Sequence, residues 1–248
     1  MHAPTLTTLA LILFPVLTTC AAPPTISLLP ALLTTKTLGP YSKGRGQTGS
    51  TSTSSFIELQ LNLCNSGFAG CYKNGDSIPE GAELIYATGP NVVTINEVCS
   101  NDIATLQSYL GEAWPQDYTY SVFMPAIEKK TNAAYKCKNQ MAYGSAVLGR
   151  VAKANWKDVK AYGGKYTSQD DTNEQRIFAC ASATGDHFAC TTHLSSSSKP
   201  LALAQCKALL FDAVPYIKAQ SGSSAKTVVG GDFNLLYAKI GDIPWRPR

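Results

Sequence analysis

At 248 residues, with 44% hydrophobic and 15% charged side chains, the chain can build one substantial core and is too apolar to be a disordered tail. Its formal charge of +4 permits a polyanionic partner but falls well short of the basic footprint of a protein held to nucleic acid by charge alone. The eight cysteines include no CxxC pair, which argues against cysteine-rich zinc sites and for disulfides in an oxidising compartment.

Residues 1–22 read as an export signal: Leu9 to Leu17 is apolar, and small residues run from Thr18 to Ala22. The apolar run is too short to cross a bilayer, which takes about 20 residues, and no lysine or arginine precedes it. No stable membrane span is expected, and the mature protein is expected to be secreted and monomeric. Cleavage near Ala22 would remove Cys20 and leave an odd count of cysteines. Residues 23–55 read as a Ser/Thr/Gly-rich linker or disordered arm, most plainly from Thr34 to Ser55, so the folded domain is expected over 56–248.

Phe56 to Leu63 alternates strictly, with Ile57, Leu59, Leu61 and Leu63 on one face, and predicts a β-strand. Ser77-Ile-Pro-Glu80 matches a capping box and starts a helix that Gly89-Pro90 ends. Asn91 to Ile95 predicts a buried strand, and Asn101-Asp102 caps a second helix running to Gly111. Strands are predicted over Tyr118 to Met124 and Tyr143 to Leu148, and a hairpin over Arg176 to Leu194 turns at Thr184-Gly-Asp186. Ser198 and Pro200 open a helix to about Ala219, kinked at Pro215, and residues 226–231 form a last strand. Alternating strands and helices followed by a hairpin give an α/β class with a mixed sheet.

Polar residues end four of these strands: Asn62, Glu97, His193, and Asp232 with Asn234. In α/β folds strand ends gather at one edge, where sites form. Oxygen donors of this kind suit a hard cation such as Mg²⁺. Singly, each has a plainer reading. Glu97 could be a solvated loop residue, His193 a structural histidine, Asn62 a turn residue, and Asp232-Phe-Asn234 a loop bonded to its own backbone. His187 falls at the hairpin turn, where an exposed position is expected.

Taken together, Leu59-Gln-Leu-Asn-Leu-Cys64, Val93-Thr-Ile-Asn-Glu-Val98, Tyr143 to Arg150, Thr191-Thr-His-Leu194 and Gly231-Asp-Phe-Asn234 resemble the endonuclease/exonuclease/phosphatase (deoxyribonuclease I-like) superfamily, in an exported, cysteine-containing branch. The resemblance implies a four-layer α/β/β/α sandwich of two mixed β-sheets and a metal-dependent hydrolase of phosphoesters, most specifically a nuclease. It implies that Glu97 is the principal Mg²⁺ (or Mn²⁺) ligand with Asn62 beside it. Asp232 and Asn234 would orient the attacking water and the scissile phosphate. His193 would stabilise the transition state or protonate the leaving oxygen. Arg150 would contact substrate phosphate, with a structural strand-end role as the alternative. Nucleic acid or another phosphodiester is the implied substrate; sphingomyelinase-like and phosphoinositide-phosphatase members share the motifs.

The family closes with a strand-end Asp-His pair, whereas Leu235 to Arg248 contain no histidine. The expectation is therefore an incomplete C-terminus lacking closing strands and one catalytic pair. The alternative is a non-catalytic truncated member or an incomplete gene model. The odd cysteine fits the same expectation, its partner falling in the missing tail. Cys64 and Cys71 can close a short loop. Cys180 and Cys190 lie equidistant from Gly185 and would face across the hairpin. Cys99 and Cys137 then remain, leaving Cys206 alone, with Cys190–Cys206 as a rival pairing.

Overall fold

The computed structural model describes residues 26–37 and 55–235. The strands are β1 (Ile26–Leu29), β2 (Leu32–Thr37), β3 (Glu58–Asn62), β4 (Val92–Cys99), β5 (Asp117–Pro125), β6 (Ile127–Glu128), β7 (Tyr143–Ala152), β8 (Val159–Tyr166), β9 (Glu174–Gln175), β10 (Ile177–Ala183), β11 (His187–His193) and β12 (Lys226–Asp232). The helices are α1 (Ser77–Thr88), α2 (Ile103–Ala113), α3 (Lys199–Lys207) and α4 (Val214–Ser221).

Ten strands form two five-stranded sheets, ordered β1-β8-β10-β11-β12 and β2-β5-β7-β4-β3. Each sheet is antiparallel except for its last pair, β11 with β12 and β3 with β4, which are parallel. A parallel pair needs a crossover, and here helices supply both: α1 links β3 to β4, and α3 with α4 link β11 to β12. Small and apolar side chains between the sheets, among them Val122, Met124, Val147, Ala179 and Ala181, make the central layer of the core. Ile78, Ala82, Ile85, Leu106 and Leu110 of α1 and α2 pack on the outer face of one sheet; Ala202, Leu209 and Ile217 pack on that of the other. The architecture is a four-layer α/β/β/α sandwich with mixed sheets.

Several local expectations change. Residues 26–37, assigned to the arm, are strands β1 and β2, each adding an edge to one sheet. Ile26 is buried and pairs with Tyr166, so the fold begins well before Phe56. The Thr-rich stretch of β2 hides its β character among residues also common in linkers. Strand β8 carries Gly163 and Gly164 and few large apolar residues, and it gave no signal. Ser77 is the first helical residue of α1, not its cap, and the preceding Asp76 makes no side-chain capping bond. Asp102 precedes α2, but its carboxylate accepts from Asn65 at 2.8 Å and Asn101 at 2.7 Å in place of capping. The kink expected at Pro215 is a π-helical turn over Ala208–Ala213 that joins α3 to α4. Proline lacks the N–H that the helical ladder needs, and the wider turn accommodates that gap. The export signal over residues 1–22 and most of the arm lie outside the described residues.

Disulfides join Cys64 to Cys71, Cys99 to Cys137 and Cys180 to Cys190, while Cys206 is free. Cys180 and Cys190 are paired across the hairpin register, which rules out the Cys190–Cys206 alternative. Three bonds of this kind are consistent with an oxidising environment. Among the described residues no helix is long and apolar enough to cross a membrane. Non-reduced peptide mapping should find all three bonds. Reduction should lower stability by about 2–4 kcal/mol per bond, read from urea unfolding; free thiols throughout would contradict the pairing.

Candidate active site

The two parallel pairs stack on one another across the sandwich, β3 and β4 against β11 and β12. Their C-terminal ends therefore meet at one edge. Asn62 ends β3, His193 ends β11, Asp232 ends β12, and Glu97 lies two residues from the end of β4. The Asn62 amide donates to Glu97 Oε1 at 2.8 Å and to Asp232 Oδ2 at 3.1 Å. Ligand atoms of Glu97, His193 and Asp232 lie within 4.8 Å of one another and can hold a metal ion.

Glu97 reaches this edge because β4 is irregular. Its register against β7 shifts between Ile95 and Val98, and Glu97 adopts a left-handed φ of 56°. That backbone conformation is uncommon for a side chain with a Cβ and costs roughly 1–2 kcal/mol. The bulge breaks the in–out alternation, so consecutive residues Asn96 and Glu97 both serve the site. The backbone holds the kink: Leu63 N–H donates to Asn96 O at 3.0 Å, and Asn65 N–H donates to Glu97 O at 2.8 Å.

Asn96, unassigned by the sequence, is fully buried and ties the two sheets together. Its Oδ1 accepts from the Asp232 N–H at 2.6 Å and from Gln60 at 3.1 Å. Its Nδ2 donates to Thr192 O and Ser145 Oγ, each at 3.0 Å. Gly230 and Gly231 precede Asp232 for steric reasons. A Cβ at Gly230 would collide with the Glu58 carboxylate and Thr94 hydroxyl, and one at Gly231, where φ is 141°, would collide with Thr192 O. Close approach of β12 to its neighbours thus requires glycine at both positions.

A second cluster, also missed, lies behind His193. Arg176 is 4% exposed and contacts Asp170 at 3.5 Å and Glu174 at 3.0 Å; Glu174 in turn lies 3.9 Å from His193 Nδ1. Burial raises the Glu174 pKa, partly offset by Arg176. For Asp170 burial acts upward, but hydrogen bonds from Thr172 and Ser195 and the Arg176 charge bring it below the usual value. Burial and the Arg176 charge lower His193 to about 4, against the opposing pull of Asp232 and Asp170. The imidazole is therefore neutral near pH 7. Only Arg176 at the head of β10 could have signalled this cluster, as a charge where an apolar strand begins.

A folded-state pKa below the unfolded value near 6.5 means that protonation favours the unfolded chain. His193 thus contributes stability that is present above about pH 6.5 and lost as pH falls toward about 4. Metal-free protein should lose on the order of 2–3 kcal/mol through this window, and His193→Gln should flatten the profile. Identical urea midpoints for the two proteins across that range would contradict the assignment.

One expected role is not met. Arg150 lies at the opposite end of the sheet, its strand pairing Gly149 with Val92, about six residues and on the order of 20 Å from Glu97. Its guanidinium pairs with Asp117 at 2.7 Å and covers the Trp114 ring at 3.7 Å, a structural role. The Asn234 amide nitrogen donates to Leu194 O at 3.0 Å, and the Asn234 N–H to Asp232 Oδ1 at 3.0 Å. Asn234 therefore fixes the Asp232 loop beside the cleft. His187, expected to be exposed at the hairpin turn, is 1% exposed between the sheets, bonded to Tyr120 at 2.5 Å and Asp186 at 2.6 Å.

No family model and no curated protein matches the sequence. Solved structures do. A truncated TDP2 from Caenorhabditis elegans is 20% identical, with a TM-score of 0.44, over 75% of this chain and 66% of that one. An endonuclease/exonuclease/phosphatase family protein from Bacteroides thetaiotaomicron is 14% identical, with a TM-score of 0.49, over 73% and 64%. A mannosyl-6-phosphatase from the same organism is 14% identical, with a TM-score of 0.45, over 73% and 66%. The chain thus spans just under two thirds of the length of these proteins. In the order of its motifs and the layering of its sheets, the chain resembles the endonuclease/exonuclease/phosphatase superfamily.

Proposed function

We propose that this chain is an exported, Mg²⁺-dependent phosphodiesterase of that superfamily, acting as a nuclease by in-line attack of water. The convergence of Asn62, Glu97, His193 and Asp232 on one sheet edge carries the reading. Charge supports a cation there. Two carboxylates share one amide donor, the adjacent imidazole is neutral, and the nearby Arg176 is engaged by Asp170 and Glu174. Glu97 and Asp232 are hard oxygen donors of the kind Mg²⁺ or Mn²⁺ takes. When bound, such an ion would neutralise charge on the phosphate and lower the pKa of water.

The remaining steps belong to the protein. Asp232, held by Asn96, Asn62 and Asn234, orients the attacking water. Neutral His193 offers one N–H to a non-bridging oxygen as charge develops there. The disulfides and the leader-like segment at residues 1–22 support export.

Calorimetric titration with Mg²⁺ or Mn²⁺ tests the cation site. Glu97→Gln removes the ligand of highest charge and should weaken binding at least tenfold. Equal affinities would remove Glu97 from the site and the reading with it.

A further inference from the structure

Beside the metal cleft lies a second feature that the proposed mechanism does not use. A pocket of about 350 Å³ opens between the loop after β3 and the loop before β7, lined by Asn65, Ser66, Tyr72, Ile78, Lys138 and Asn139 among others. Disulfides fix both walls. Cys64–Cys71 closes the first loop, and Cys99–Cys137 staples the second to the end of β4, two residues beyond Glu97. Lys138 N–H donates to Ser66 O at 2.8 Å and joins the walls. The Asn65 N–H bonded to the Glu97 carbonyl makes this wall continuous with the cleft.

The chemistry of the surface is divided. Lys129, Lys130, Lys136 and Lys138 are exposed along one ten-residue stretch. Glu128, whose carboxyl is held below its usual pKa by hydrogen bonds from Thr131 and Asn173, and Asp171, 3.9 Å from Lys129, offset the first two lysines, so the net positive charge falls on Lys136 and Lys138, the latter lining the pocket. The pocket itself has a carboxylate, Asp102, and the Tyr72 ring; Phe68, which follows the lining residue Gly67 in sequence, is 64% exposed. An acidic wall disfavours phosphate but accepts N–H donors, and an aromatic ring gives a flat group somewhere to stack.

Resting on the phosphodiesterase reading, we infer that this surface binds a single-stranded nucleic acid. The pocket takes the base of a nucleotide next to the scissile phosphate, and the lysines take the flanking phosphates. The volume suits a planar base, and lysines in series suit a chain of phosphates better than a single headgroup. Rigid walls limit the ordering that binding would otherwise require.

The test is fluorescence anisotropy with a labelled single-stranded oligonucleotide, Ca²⁺ replacing Mg²⁺ to suppress cleavage. Wild-type affinity should fall with salt, and Lys136→Ala and Lys138→Ala should each make the log–log slope shallower by about one. An abasic position in the strand should weaken wild-type binding about tenfold; in Tyr72→Ala and Phe68→Ala that penalty should shrink toward onefold. Unchanged slopes, equal binding of abasic and intact strands, or preference for sphingomyelin vesicles over the strand would overturn the inference. Calorimetry separates the two readings. Absence of strand binding with Mg²⁺ binding intact refutes this surface alone, whereas loss of both refutes the phosphodiesterase reading as well.

Discussion

His193→Ala is expected to slow Mg²⁺-dependent hydrolysis of plasmid DNA, RNA and bis-(p-nitrophenyl) phosphate about 10²–10³-fold, the usual loss when one hydrogen-bond donor to developing charge is removed. Among the described residues, His193 is the one histidine at the cleft; His187 is locked between the sheets by Tyr120 and Asp186. A neutral His193 can donate a hydrogen bond to phosphate but is a poor proton source at neutral pH. The rate lost with it is therefore that of its hydrogen bond to the phosphate. Equal turnover by the variant and the wild type would remove His193 from the reaction.

The second large effect is expected at Asn96. Asn96→Leu keeps a similar volume but removes every bond that joins β4 to β11 and β12. It takes their Asn96 partner from the part-buried Asp232 N–H and the Thr192 carbonyl. Each such group costs about 1–3 kcal/mol, so urea unfolding should show a loss of roughly 2–4 kcal/mol. Mg²⁺ affinity should fall as well, because Asp232 loses the bond that sets its backbone. Gln60→Ala, which removes one partly exposed hydrogen bond to the same side chain, should cost under about 1 kcal/mol. A similar small loss for Asn96→Leu would mean that the bridge is incidental.

These two residues also show what could be read from the sequence. The order of β3 to β5, β7 and β10 to β12 with their helices, both α/β crossovers and the meeting of Asn62, Glu97, His193 and Asp232 follow from short patterns at strand ends, where local alternation and global topology agree. Asn96 could not be singled out because its importance depends on a bulge. In a regular strand, residues 96 and 97 would face opposite ways, and the sequence carries no mark of the left-handed φ at Glu97. Arg150 misled for a related reason: its place in a matching stretch said nothing about which end of the sheet it occupies. Only the antiparallel register of β7 against β4 decides that. His187 was misjudged from its turn position, although it is also the first residue of a strand whose every neighbour up to Thr192 is buried. The pair β1 and β2 needed partners distant in sequence, β8 and β5, to be recognisable at all.

The central claim is that the four strand ends form a divalent cation site. It is tested most directly by soaking crystals of the protein in Mn²⁺ and measuring anomalous diffraction. The account predicts one peak in the cleft, within about 2.0–2.3 Å of a Glu97 carboxylate oxygen, close to Asp232, and absent from Glu97→Gln. A cleft without Mn²⁺, or an equal peak in the variant, would contradict it.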